Sequence, residues 1–199
     1  MKRGPKHKLC RRVGSCVWGD PKCPSTKRPY TAGQHGNTRR RSKLSTYGEL
    51  LLEKQKLRAH YAMTERQLRF AYDKAKSGGG ATGDKLMQML ELRLASVVCR
   101  SGLAPSIFAA KQAVGHRHIL VDGKVVDRNG YGVKPGQVVS VNAQRSPAIA
   151  SIAQGTDVVP PPYLEVDKEN LKVTVAREPL ADEIPANVEI MRVVEYYAR

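Results

Sequence analysis

The sequence predicts an α+β fold: a mostly helical first domain behind a loop-rich N-terminal arm, then a small helix-helix-sheet domain, then a C-terminal hairpin that returns to the first domain. Three observations carry this. Two capping boxes, Thr46-x-x-Glu49 and Thr64-x-x-Gln67, each open a stretch whose apolar residues recur at helical spacing. After Val114 the apolar period changes from that of a helix to that of a strand, with Ile119-Leu120-Val121 and Val125-Val126 on either side of Asp122-Gly123. Beyond the proline-rich residues 158–162, residues 163–167 and 171–175 alternate at period two about Lys168-Glu169-Asn170. The boundaries implied are an arm over 1–46, a helical domain over 47–90 completed by 155–199, and the small domain over 91–150.

Residues 1–46 are basic and rich in Gly and Pro, with no apolar periodicity, so they cannot build a core of their own. Something else must order them. His7, Cys10, Cys16 and Cys23 place four soft or borderline ligands within seventeen positions, a set that a tetrahedral zinc ion gathers into a loop-rich knot. The spacing lacks the paired Cys-x2-Cys knuckles of a standard zinc ribbon, and the same residues also read as one exposed histidine and three ordinary thiols. Further on, Arg28-Pro29-Tyr30, residues 32–36 and Arg39-Arg40-Arg41 make an extended, turn-rich arm ending in a basic run. Such a run is either a solvated tail or a strip laid along a phosphate backbone.

Tyr47, Leu50, Leu51, Lys54, Leu57 and Tyr61 stripe the first helix, and Leu68, Ala71, Tyr72 and Ala75 the second, which together form a helical hairpin. On the outer faces Lys54, Lys56, Arg58, Arg66 and Arg69 outnumber the acids and present a basic ridge. Ser77-Gly78-Gly79-Gly80 breaks the chain, after which Leu86, Met87 and Leu90 begin a helix whose period runs on into Leu94.

In the small domain Leu90, Leu94, Val97 and Val98 share one helix face, Arg93 and Arg100 lie on another, and Gly102 suits a left-handed cap. A second helix, capped by Ser106, carries the narrow stripe Ile107, Ala110, Ala113 and Val114 and ends at Gly115. Asp122-Gly123 signals a tight hairpin, and residues 138–141 add a strand after Lys134-Pro135-Gly136. The polar joints hold Arg93, Arg100, Lys111, His116, Arg117, His118 and Lys124, with no acid from Pro105 until Asp122, a corner suited to phosphate oxygens. Cys99, beside Val97 and Val98, reads as a core thiol. Ser146-Pro147 opens a short further helix.

Charge narrows the classes of function. Thirty-four Lys and Arg against 18 Asp and Glu leave +16 over 199 residues, which points to a polyanionic partner and to nucleic acid before membrane. No apolar run approaches the roughly 20 residues that span a bilayer. Met1-Lys2-Arg3 leads into Gly and Pro and not into the apolar core of a signal peptide, so the expected compartment is the cytosol, where four cysteines read as thiols or metal ligands. The acids gather late, at Glu165, Asp167, Glu169, Glu178, Asp182, Glu183 and Glu189, and that end is expected to pack on the first domain or to meet a basic neighbour protein. Catalysis finds no support. There is no Gly-x-x-x-x-Gly-Lys phosphate loop and no Gly-x-Ser-x-Gly elbow, and His35, His60, His116 and His118 lack a matched nucleophile or carboxylate pattern.

The motifs carry a family resemblance. Leu94-x-x-Val97-Val98-x-Arg100-x-Gly102, the run Ala110-Lys111-Gln112-Ala113-Val114-x-His116-x-His118-Ile119-x-Val121-Asp122-Gly123, and Val133-Lys134-Pro135-Gly136 resemble the small RNA-binding module of the small-subunit ribosomal protein number four family. Pseudouridine synthases and a tyrosine-specific aminoacyl-tRNA synthetase share that module. Outside it, Pro29-x-x-x-Gly33-Gln34-His35-Gly36, Ser45-Thr46-Tyr47-Gly48 with residues 53–58, residues 64–68 and the closing residues 190–197 resemble the ribosomal family and not the enzymes.

That resemblance implies a non-enzymatic constituent of the small ribosomal subunit. It would be a primary binder of small-subunit ribosomal RNA at a multi-helix junction, nucleating assembly near where the messenger enters, contributing to translational accuracy and touching the proteins numbered three and five. A free RNA-binding translational regulator using the same surface is the alternative. The expected RNA contacts are Arg39, Arg40, Arg41, Lys54, Lys56, Arg58, Arg66, Arg69, Arg93, Arg100, Lys111, His116, Arg117, His118 and Lys124. Recognition would rest on junction shape, phosphates and 2′-hydroxyls, because A-form RNA hides its base edges in a deep groove. Some bacterial relatives carry a four-cysteine zinc knot, in which His7 stands where the first Cys would be, Cys10 and Cys23 match the second and last, and Cys16 matches less cleanly. Two departures stand out: Ala95-Ser96 replaces the usual Asp-Asn, and residues 105–108 replace a Thr-Arg segment, so Lys111 or the arm is expected to take over part of the phosphate grip.

Overall fold

The computed structural model describes residues 7–37, 44–142, 145–156 and 158–199. It shows a mixed helical and antiparallel architecture in two compact units, residues 1–68 with 186–199, and residues 69–185.

The first unit starts with α1 (Lys8–Val13) and the single turn α2 (Pro24–Lys27), around a small core of Cys10, Val17 and Cys23 with Trp18 and Ala59 against it. Next comes α3 (Thr46–His60), which buries Leu50, Lys54 and Leu57 at i, i+4 and i+7. Its cap is Ser45, whose Oγ accepts the Gly48 N–H at 3.2 Å. The box expected at Thr46 therefore does not form: the cap falls one residue earlier, where the third helical residue is Gly48 and has no side chain to reach back, and Glu49 turns instead to Arg192 at 3.5 Å. The second box forms as expected: Gln67 N–H donates to Thr64 Oγ1 at 3.3 Å and Thr64 N–H to Gln67 Oε1 at 3.2 Å. This box opens α4 (Glu65–Ser77), which leads from the first unit into the second. The C-terminal helix, Ile190–Ala198, packs against α3 with Val193 fully buried, the Tyr47 and Tyr196 rings 5.8 Å apart, and the Tyr197 hydroxyl donating to Glu65 at 2.8 Å.

In the second unit α5 (Thr82–Glu91) and α6 (Leu94–Arg100) replace the continuous helix that the Leu86–Leu94 period suggested. The break has a cause in pairing. Arg93 is extended at ψ 138°, the Leu94 N–H donates to Tyr131 O and the Val133 N–H to Leu92 O, each at 2.8 Å, so two residues leave the helix to bridge a neighbouring segment. Ser96 Oγ donates to Leu90 O at 2.8 Å and satisfies a carbonyl freed at that helix end. Next is α7 (Ile107–Gly115), capped by Ser106 Oγ on the Ala109 N–H at 3.2 Å, and its expected stripe of Ile107, Ala110, Ala113 and Val114 is buried.

The strands are β1 (Ile119–Val121), β2 (Lys124–Val125), β3 (Val138–Val141), β4 (Leu164–Asp167) and β5 (Lys172–Val175), with α8 (Pro147–Gln154) between β3 and β4. Asp122 and Gly123 both take positive φ, 49° and 76°, as the tight turn joining β1 and β2 requires. One antiparallel sheet results, in the order β2-β1-β3-β5-β4. Here the C-terminal hairpin departs from expectation. Instead of returning to the first domain it extends the small sheet, β5 pairing β3 through Val139↔Val173. The exposed edge of β3 and the apolar alternation of Val173 and Val175 favour that outcome, since both valines join the core formed by α6, α7, β1 and β3.

Candidate metal centre and nucleic-acid interface

His7, Cys10, Cys16 and Cys23 come together in the knot, their ligand atoms all within 4.8 Å of one another. A tetrahedral zinc ion, with bonds of about 2.0–2.3 Å, needs ligand atoms roughly 3.5–3.8 Å apart, so the four lie within about 1 Å of that arrangement. Their surroundings suit it. Asp20 N–H donates to Cys16 Sγ at 3.2 Å and Val17 N–H to Cys10 Sγ at 3.5 Å, while Ser25 Oγ lies 3.1 Å from Cys23 Sγ. His7 turns Nδ1 toward Cys23 Sγ at 3.2 Å and Nε2 toward the Asp20 carboxylate at 3.8 Å, so a carboxylate stands behind the ring as it does behind many metal-bound histidines. Burial pushes the Cys10 thiol up to about 12. At Cys23 burial acts in the same direction, but hydrogen bonds from Ser25 outweigh it and hold the thiol below its ordinary value. The donor set therefore fits a structural metal ion, whose positive charge would offset the burial of thiolates.

This knot is tied to the end of α3. Trp18 Nε1–H donates to Ala59 O at 2.9 Å, and His60 Nδ1 lies 2.9 Å from Val17 O. Asp20 and Ser25 were not singled out from the sequence. Their only signal there was position: Asp20 lies between the third and fourth ligands and Ser25 two residues after the last.

Of the expected RNA contacts, Arg39, Arg40 and Arg41 lie outside the described residues. In the first unit, Lys54 is a correction. It is 6% exposed, its ammonium 3.0 Å from Glu65 and 4.6 Å from the centre of the Tyr196 ring, because position 54 falls on the buried stripe of α3 beside Leu50 and Leu57. Lys56 lies 3.5 Å from Glu53 and Arg58 3.4 Å from Glu65, both half-buried. Arg66 stands exposed at the start of α4.

In the second unit Arg100 is likewise turned inward. Its Nε and Nη2 donate to the two oxygens of Glu91 at 3.1 and 2.9 Å, Glu91 is 0% exposed, and the Tyr163 hydroxyl donates to the same carboxylate at 3.1 Å. Burial first, and the Glu91 charge second, raise the Tyr163 pKa. Arg93 lays its guanidinium against Gly130, where an added Cβ would meet Nη2 at 3.3 Å, and burial lowers its pKa. Outward stand Arg69 on α4, His116 and Arg117 after α7, and Lys124 on β2, all exposed, while Lys111 is half-buried on α7. Arg117, at φ 64°, meets the exposed Asp127 at 3.2 Å. His118 is half-buried, pinned by Ser146 Oγ on its Nδ1 and by the Asn142 N–H on its carbonyl at 2.9 Å. What remains outward is a set of cations on α4, on the α7–β1 turn and on β2, able to meet phosphates.

The family profile described as the ribosomal protein S4/S9 N-terminal domain matches residues 1–91, and that of the S4 domain matches residues 92–139. The chain is 46% identical over 198 residues to small ribosomal subunit protein uS4 of Bifidobacterium adolescentis, covering 96% of this chain and 95% of that protein. It is 46% identical over 198 residues to uS4 of Bifidobacterium animalis subsp. lactis, covering 96% of each. It is 42% identical over 200 residues to uS4 of Ruegeria pomeroyi, covering 98% of this chain and 96% of that protein. With both profiles in succession and relatives aligned over nearly the whole length, the chain belongs to the uS4 family of small ribosomal subunit proteins.

Proposed function

We propose that this chain is a structural, non-enzymatic constituent of the small ribosomal subunit in the cytoplasm. There it binds small-subunit ribosomal RNA at a multi-helix junction, helps nucleate assembly and contributes to translational accuracy. One observation carries the reading: similarity to uS4 relatives runs over 96% of the chain, so the arm and helical domain accompany the S4 domain, where enzymes that borrow that domain carry a different remainder. The RNA-facing residues are Arg39, Arg40, Arg41, Lys56, Arg58, Arg66, Arg69, Arg93, Lys111, His116, Arg117, His118 and Lys124. Lys54 and Arg100 support that surface from within, through Glu65 and Glu91. Cations on helix faces and turns reach phosphates and 2′-hydroxyls across a shallow minor groove, so shape selects the site and charge supplies affinity.

His7, Cys10, Cys16 and Cys23 would hold a zinc ion, which would supply only a structural staple for the knot at the end of α3. The neighbours we propose are the ribosomal proteins numbered three and five. The exposed acids Glu165, Asp167, Glu169 and Glu178 suit a basic protein surface and not RNA.

Binding of the metal-analysed protein to small-subunit ribosomal RNA, against an unrelated structured RNA of equal length across a salt series, tests the reading. A strong preference persisting at moderate salt is expected. Equal binding to both, lost steeply as salt rises, would reduce the protein to a generic polycation. Lys111→Ala should weaken binding; unchanged affinity removes Lys111 from the interface.

A further inference from the structure

We infer that Phe70 is a stacking platform for an unpaired RNA base, which makes α4 an element that selects single-stranded nucleotides as well as one that meets phosphates. This rests on the RNA-binding reading above and deepens it.

Phe70 is 70% exposed on a helix whose other face is dry: Ala71, Tyr72 and Ala75 are 6%, 5% and 2% exposed. By helical spacing, residues 71, 72 and 75 form the core stripe, and Phe70 projects away from it. It is therefore not a core residue with a frayed edge. An aromatic ring left in water on a well-formed helix gains little for folding, and its open π-face is the surface on which an unpaired base stacks. Arg66 lies one turn before Phe70 and Lys74 one turn after it, both exposed, with Asp73 at i+3 the acid beside them. A flat apolar surface rimmed by two cations is complementary to a nucleotide, whose base offers a π-face and whose phosphate offers the charge. Bases available for such stacking are those of loops, bulges and ends, because a paired base is already stacked on its neighbours. A protein partner would also cover the ring, yet a net charge of +16 and the cations on either side favour RNA.

The test is a substitution series at Phe70 in the full-length protein, measured against small-subunit ribosomal RNA over a salt series. Phe70 is exposed, so none of the variants empties the core. Phe70→Ala and Phe70→Leu are expected to weaken binding by about 5- to 150-fold, the range for one base on one ring, while Phe70→Tyr and Phe70→Trp stay near the parent. The slope of log affinity against log salt should not change, since no charge is removed, whereas Lys74→Ala should lower it by up to about 1. Parent-like binding of Phe70→Ala overturns the proposal. Full recovery by Phe70→Leu also overturns it, by reducing the contact to apolar burial. Unchanged RNA binding with lost incorporation into small subunits assigns the ring to a neighbouring protein instead. A parent protein without preference for small-subunit ribosomal RNA fails at the earlier step and takes both readings down, which separates the two failures.

Discussion

Arg100 carries two opposed expectations, and one substitution separates them. From its position two turns along from Arg93 it reads as a phosphate ligand, yet both oxygens of the fully buried Glu91 accept from its guanidinium, at 2.9 and 3.1 Å. Arg100→Met would leave that carboxylate in a dry site with the Tyr163 hydroxyl as its remaining donor from this set. Stranding a buried charge in this way costs about 3–5 kcal/mol. Tyr163→Phe, which removes one hydrogen bond to a charged acceptor, should cost roughly 1.5–3 kcal/mol. With a urea dependence of about 2 kcal/mol per molar for a unit of this size, Arg100→Met should lower the unfolding midpoint by about 1.5–2.5 M. The assay is urea denaturation followed by circular dichroism, with hydrogen exchange on residues 69–185 to locate the loss. Glu91→Gln with Arg100→Met should lose much less than the sum of the two single changes, because the amide no longer needs a counter-charge. RNA binding by the folded variant should keep its salt slope. If Arg100→Met were to stay within about 1 kcal/mol of the parent while the slope fell by about 1, Arg100 would be a phosphate ligand and the buried pair incidental.

Two further outcomes follow from the first unit. Glu65 is subject to burial, which raises its pKa, but the Tyr197 hydroxyl and the Lys54 ammonium outweigh this and hold it below its ordinary 4.5. A depressed folded value means that its stabilisation is present above 4.5 and is lost as pH falls through the folded value, so the packing of the C-terminal helix on α3 should loosen below about pH 4.5. Tyr197→Phe should shrink that acid-dependent part, and a pH profile that Tyr197→Phe leaves unmoved would count against it. The chain has one tryptophan, Trp18, whose indole N–H bonds the end of α3, so its emission reports the knot directly. Chelation of a metal-loaded sample, or Cys10→Ser, should shift that emission to the red and expose the knot to protease while the second unit keeps its fold. An unchanged spectrum together with less than one zinc ion per chain would refute the staple.

Much of this was legible because it depends on near neighbours in sequence. The Thr64-x-x-Gln67 box, the Ser106 cap, the Asp122-Gly123 turn and the stripe of α7 are each settled within one or two turns of chain, where propensity and hydrogen-bonding geometry act alone. What was not legible depends on partners far away. The break at Leu92–Arg93 exists because residues 131–133 reach back to pair there, about forty positions on, and nothing in the local period announces it. The hairpin of β4 and β5 was recognised as a hairpin, but its destination was set by which strand offered an open edge, and that is a property of the assembled sheet. At the metal centre the four ligands were visible as residue types. The backbone donors to their sulfurs and the carboxylate behind His7 came only with the fold.

The same distinction governs the basic residues, from which the proposed RNA contacts are drawn. Lys54 and Arg100 look no different in sequence from Arg66, Arg69 and Lys124, and what divides them is whether folding buries them against an acid. Glu65 meets Lys54, and Glu91 meets Arg100. A cation engaged in this way gives up a hydrogen-bonded partner before it can meet a phosphate, and if buried it must also move, so its net contribution to RNA affinity is small. Among the described residues Arg66, Arg69 and Lys124 are exposed and meet no carboxylate within ion-pair distance, and they can neutralise phosphate and release counterions at no such cost. A chain with 34 cations and 18 acids retains a surplus of 16 however the pairs are drawn. The acids decide which cations are tied into the fold of their own unit and which are left on its surface.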